Sequence, residues 1–266
     1  MLFRSATTLG GSATAGTSGG GAARRAETPS GRMEACLRKL DAMHFEPEGL
    51  RAAAEEFVWA NPDVTAEHLG VATGVRAVKA ADWARSEEWD NIAGYYEPKT
   101  GEILLHERVV GKEGPFRANF AIALGESLLG RYIAEKRWTE GEGTRTYEIE
   151  LRAAPDLGGL LGEEDLRRYL RLAKMRPAGG GGRCWRRIVS TGEGFLPSGI
   201  LFGLMYAWYL DNRYAPTLSL EMEMLQWPPS RLLPHQARER ARYRELVSFL
   251  RERVFTGFAG TTMGKK

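Results

Sequence analysis

Residue types that do chemistry are sparse in this 266-residue chain, and their spacing is the first filter. His44, His68, His106 and His235 are its four histidines; no two stand four apart or at another common ligand spacing, so a zinc site would have to be assembled from distant segments. His106 ends an apolar stretch beside Glu107, and His235 follows Pro234 in a turn; both read as surface histidines. Cys36 and Cys184 form neither a C-x-x-C nor a Cys/His pattern, which argues against a structural zinc site and against a disulfide framework. Ser127 sits in Gly125-Glu-Ser-Leu-Leu-Gly, one residue out of step with the G-x-S-x-G nucleophile elbow and with no strand before it. No G-x-G-x-x-G or P-loop occurs, and Gly179 to Gly182 lacks the Lys-Ser/Thr that would hold phosphate and magnesium. What remains for binding is a stripe, Arg183, Trp185, Arg186 and Arg187, in which three arginines surround an aromatic. It reads either as a site for a phosphate or an acidic partner or as a solvated face.

The elements around these residues follow from periodicity. Gly94-Tyr-Tyr-Glu-Pro-Lys-Thr-Gly-Glu-Ile-Leu-Leu predicts two short strands about a Pro98 to Gly101 turn. Apolar positions at Phe116, Phe120, Ile122, Ala123, Leu124, Leu128, Leu129, Tyr132 and Ile133 then predict a buried helix. Helical spacing recurs in Met33–Ala60 as two helices broken at Pro47, in Glu163–Met175, in Leu196–Tyr209, and in a long C-terminal helix between Leu232 and Phe255. Val64 to Ala80 has a superficial helix-turn-helix look, but Gly74 and the early Val75 and Val78 favour a plain helical hairpin over a DNA reader. Lys136–Arg145 reads as a loop, and Thr146–Arg152 as a strand or the start of a helix.

The hairpin followed by the Phe120 helix resembles the zincin metallopeptidases, in which a GYYDPxTxxIxL hairpin precedes a helix of the form hhAHELxHhL. The resemblance covers about a fifth of the chain. Laid on it, Glu126 takes the general-base position, while Gly125 and Leu129 stand where the two zinc-binding histidines belong. It also implies a third ligand position at Glu193, in Thr191 to Phe195 at the head of the second apolar helix; an acidic residue favoured by the helix dipole is the alternative. Both imidazoles being absent, the resemblance implies a degenerate, metal-free member. Restoring them as Gly125→His and Leu129→His, with Glu193, would then supply three ligands.

Composition sets the frame. With 43% apolar and 27% charged residues the chain can bury a full core, and 37 basic against 34 acidic residues argue against nucleic acid as a partner. The longest apolar run, Ile200 to Leu210, is about half a membrane span. Residues 1–31 are expected to be a disordered tail, with organelle targeting as the minority alternative to a cytoplasmic protein. Residues 32–90 form an N-terminal helical region, 91–256 the metallopeptidase-like domain, and 257–266 a fraying end. The expectation is an α+β fold, mainly helical, with one small sheet around the Tyr95–Leu105 hairpin and a core formed by the Phe120 and Leu196 helices. In function it is a catalytically inactive metallopeptidase-like module that binds a protein or peptide and carries no cofactor. Two alternatives stay open: a zinc hydrolase with unusual ligands such as Glu126, Glu193 and His106, and a helical structural subunit of a larger assembly.

Overall fold

A computed structural model describes residues 29–83, 92–152, 161–178, 182–190 and 197–256. The fold is α+β. In chain order, α1 (Pro29–Asp41), β1 (His44–Glu46), α2 (Gly49–Ala60) and the single turn α3 (Ala66–Leu69) lead into β2 (Gly74–Val78) and the hairpin β3 (Gly94–Glu97) and β4 (Glu102–His106). The helix α4 (Glu113–Gly130) follows, then the hairpin β5 (Ile133–Gly141) and β6 (Thr144–Leu151), α5 (Glu163–Leu172), β7 (Arg176–Pro177) and β8 (Cys184–Ser190). The chain continues with α6 (Ser198–Leu210), the short α7 (Ser219–Glu223) and α8 (Pro234–Arg253).

Among the described residues, two four-stranded sheets form where the sequence predicted one. The first has the order β1-β2-β4-β3, with β2 parallel to both β1 and β4 and with β3 antiparallel at the edge; the second, β5-β6-β8-β7, is antiparallel throughout. Gly101, at φ +76°, closes the β3–β4 turn in a conformation that costs glycine little, and its carbonyl accepts from Thr73 N at 2.8 Å, tying the turn to the start of β2.

Two segment readings are corrected. The Val64–Ala80 segment is no helical hairpin: α3 lasts one turn, and Gly74–Val78 is the central strand between β1 and β4. Val75 and Val78, three residues apart, face opposite sides of that strand and both are buried, as a strand paired in parallel on both sides allows. The predicted loop at Lys136–Arg145 is most of a β-hairpin. Its strands pair from Ile133 opposite Leu151 to Gly141 opposite Thr144, and Tyr147, Ile149 and Leu151 enter the core from β6. Further along, β7 and β8 pair with Pro177 opposite Trp185.

β1 and β2 share a sheet with the β3–β4 hairpin, and a single hydrophobic core runs from Cys36 to Phe255. The four predicted long helices are present as α4, α5, α6 and α8, and α4 and α6 pack against each other at the centre. α1 starts at Pro29, inside the segment read as tail. The rest of that segment, the predicted fraying end from residue 257, and Thr191–Leu196 with Glu193 lie outside the described residues.

Candidate functional site

α4 is buried without interruption from Asn119 to Gly130, so each polar side chain on it needs a partner. Asn119 and Glu126 stand seven residues apart and share one side of the helix. Asn119 Oδ1 accepts from Ala93 N at 2.6 Å, and its Nδ2 donates to Pro115 O at 2.8 Å. Glu126, 5% exposed, accepts from Tyr96 N at 3.1 Å. Two side chains two turns apart thus hold the backbone of the edge strand β3 and the residue before it. Ser127 donates to Leu124 O at 2.7 Å within its own helix and is fully buried, which leaves its hydroxyl neither base nor access as a nucleophile.

The positions flanking Glu126 in the zincin register are packing positions. A Cβ on Gly125 would lie 2.6 Å from Tyr206 Cβ and 2.9 Å from Gly203 Cα, so the helices cross there with room for no side chain. Gly203 is its counterpart on α6: a Cβ there would lie 2.9 Å from Glu126 Cγ. Leu129 is fully buried in the core. Whether Glu193 approaches Glu126 lies outside the described residues.

On the side of α6, Glu126 neighbours a second polar group. The Tyr147 hydroxyl from β6 lies beside the Ser198 hydroxyl in the first turn of α6, and Tyr169 of α5 donates to Ser198 O at 2.5 Å. Burial raises the Tyr147 pKa above its ordinary value; the nearby Ser198 hydroxyl opposes that shift, and the Glu126 charge adds to it. Tyr169 is also raised well above its ordinary value, again by burial first. Both phenols therefore stay protonated at neutral pH and do not serve as bases, and Tyr169 is the one seen donating.

The other candidates are dispersed. His106 Nδ1 accepts from Arg108 N at 3.1 Å and its ring packs on Trp83 at 5.0 Å; His44 and His235 are exposed. Among the described residues no three of His, Cys, Asp and Glu come together as a metal-binding group. The arginine stripe is not built around a surface aromatic. Strand alternation turns Trp185 into the core, 1% exposed, with Nε1 donating to Gly182 O, while Arg186 faces out and pairs with Glu148 at 2.5 Å. Arg187 donates to Ala173 O at 3.4 Å, near the C-terminal end of α5, and Arg183 is exposed.

Spacing gave no warning of His68. Fully buried, it sets Nε2 at 3.0 Å from Val254 O and Nδ1 at 2.9 Å from the Tyr206 hydroxyl. Its partners lie 186 and 138 residues away, so only the tertiary structure reveals the cluster. Burial pulls its pKa from 6.5 down to about 4, against a smaller opposing effect of the Val254 carbonyl.

Compared with family models, with curated proteins and with solved structures, the chain has no significant match in any of the three. No described helix is long and apolar enough to cross a membrane.

Proposed function

We propose that this chain is a zincin-like pseudoenzyme, a metallopeptidase-like scaffold that binds a protein or peptide partner and does not catalyse hydrolysis. The observation that carries this reading is the use made of Glu126. A zincin general base must face a metal-bound water, held by imidazoles one residue before it and three after it. Here those positions are Gly125, closed by the backbone of α6, and Leu129, buried in the core, while the carboxylate accepts a hydrogen bond from the edge strand. The acid at the resembled position is thus occupied in holding structure. The hairpin-then-helix order and the second buried helix at α6 support the same resemblance. With its balanced charge, the reading carries a cytoplasmic location and no nucleic-acid partner.

The test is a hydrolysis assay on the full chain against a mixed peptide library with zinc supplied, run beside Glu126→Gln, which retains an oxygen acceptor for Tyr96 N. No cleavage by either protein is expected. Cleavage by the wild type that disappears in a folded Glu126→Gln variant would make Glu126 a working base and overturn the reading.

A further inference from the structure

The end of α8 is docked through residues that meet at one buried imidazole. Val254 and Phe255, just past the helix, are 2% and 1% exposed. The Phe255 ring stacks on Tyr209 at 4.1 Å and on Tyr206 at 5.1 Å, and stands edge-on to His68 at 5.3 Å. Val254 O can only accept, so His68 Nε2 carries the proton and donates to it; Nδ1 is then the acceptor for the Tyr206 hydroxyl. Both nitrogens of the neutral ring are satisfied by one tautomer. A second proton has to go on Nδ1, where it displaces the hydrogen that Tyr206 donates and leaves a cation among aromatic rings.

We propose that Val254–Phe255 is an acid-released latch, with His68 as the group that senses the proton and Tyr206 as the link to the α4–α6 crossing. The inference goes beyond the proposed function and does not depend on it. Tyr206 joins the two regions: its hydroxyl meets His68, its ring meets Phe255, and its Cβ lies where a Gly125 side chain would project.

Among the described residues, the ionisable groups around the latch are few. From α1, Cys36 acts on Tyr206; from the loop after α2, Asp63 acts on Tyr206 and Tyr209; Arg251 of α8 acts on Tyr209. Glu67 is His68's neighbour on α3, and the outer side of α8 pairs Arg253 with Asp165 and Glu252 with Arg168. With the latch closed, His68 titrates near 4; with it open and the ring wet, near 6.5. The open form therefore binds more protons between those values. The closed form loses ground as pH falls through that window and no further below it. Opening should grow about ten-fold per pH unit, reaching roughly 300-fold across the window.

The experiment is amide hydrogen exchange on the full chain from pH 7 to pH 4, corrected for intrinsic rates and read at residues 249–256. It compares wild type with His68→Gln, whose amide reproduces one donor and one acceptor without titrating. The wild-type opening constant should rise about ten-fold per unit below pH 6.5, and the variant should lack that increment. Equal pH dependence in the two would overturn the proposal. If His68→Gln does not fold, the wild-type imidazole titration followed by NMR decides: a midpoint near 4 that moves toward 6.5 in Phe255→Ala supports the latch. A midpoint near 6.5 in the wild type, or one near 4 in both proteins, refutes it.

Discussion

The carboxylate of Glu126 accepts a hydrogen bond at 3.1 Å from the backbone N–H of Tyr96, thirty residues earlier in the chain. Tyr96 lies on the edge strand of its sheet, and strand edges with unpaired N–H groups are a liability that folds manage in various ways. Here the adjacent helix supplies the acceptor. Glu126→Ala should cost about 1–3 kcal/mol for the orphaned N–H, plus the loss of packing, while Glu126→Gln should cost clearly less because an amide oxygen can still accept. Chemical denaturation of the three proteins measures this. An alanine variant as stable as wild type, or a glutamine variant as damaged as the alanine one, would contradict the role given to the carboxylate.

Gly125 is set by space. By helix propensity alone, Gly125→Ala should stabilise α4 by up to about 1 kcal/mol. The new methyl, however, would fall 2.6 Å from Tyr206 Cβ and 2.9 Å from Gly203 Cα, and α6 must move to admit it. Overpacking of this kind typically costs about 1–3 kcal/mol, so net destabilisation and a lower melting temperature are expected. Gly125→His should be worse, which reverses the sequence-only expectation that this substitution would help rebuild a metal site. A stabilised alanine variant would show that the helices cross less tightly than the geometry indicates.

The His68 cluster sets an acid limit. The neutral imidazole is favoured in the folded state, so its contribution is complete above 6.5 and is lost progressively as pH falls to about 4. At about 1.4 kcal/mol per pH unit the loss approaches roughly 3 kcal/mol. Denaturation midpoints from pH 7 to pH 4 should therefore fall more steeply for wild type than for His68→Gln. Parallel curves would mean that other groups carry the acid sensitivity.

Removing the Phe255 ring leaves a void against Tyr206, Tyr209 and His68. Phe255→Ala should destabilise by about 3–5 kcal/mol, a core-sized effect for a residue only two places beyond a helix. A loss below about 1 kcal/mol would show that the end of α8 is not anchored as described.

Much of the scaffold was legible because its signals are local. The β3–β4 turn announces itself in Pro98 and Gly101, and α4, α5, α6 and α8 in apolar positions at helical spacing. β2 was not, because Val75 and Val78 gain their meaning only from the strands on either side, which come from residues 44–46 and 102–106. The β5–β6 hairpin was hidden by its run of charged residues, because the strand pairing that places them is a tertiary feature. In the candidate site, the burial of the helix that carries Glu126 followed from its apolar pattern, but the partner of Glu126 on β3 is a tertiary contact. Trp185 was misread as a surface ring because three nearby arginines look alike in sequence, whereas alternation along β8 sends the aromatic inward.

Zinc stoichiometry of the full chain most directly tests the claim that Glu126 serves structure and not a metal-bound water. After purification without chelators and incubation with excess zinc, followed by removal of free metal, wild type and Glu126→Gln should both retain well under one zinc per chain and should melt alike with and without the metal. One zinc bound per wild-type chain, with a zinc-dependent rise in melting temperature and peptide hydrolysis abolished in the folded Glu126→Gln variant, would contradict it.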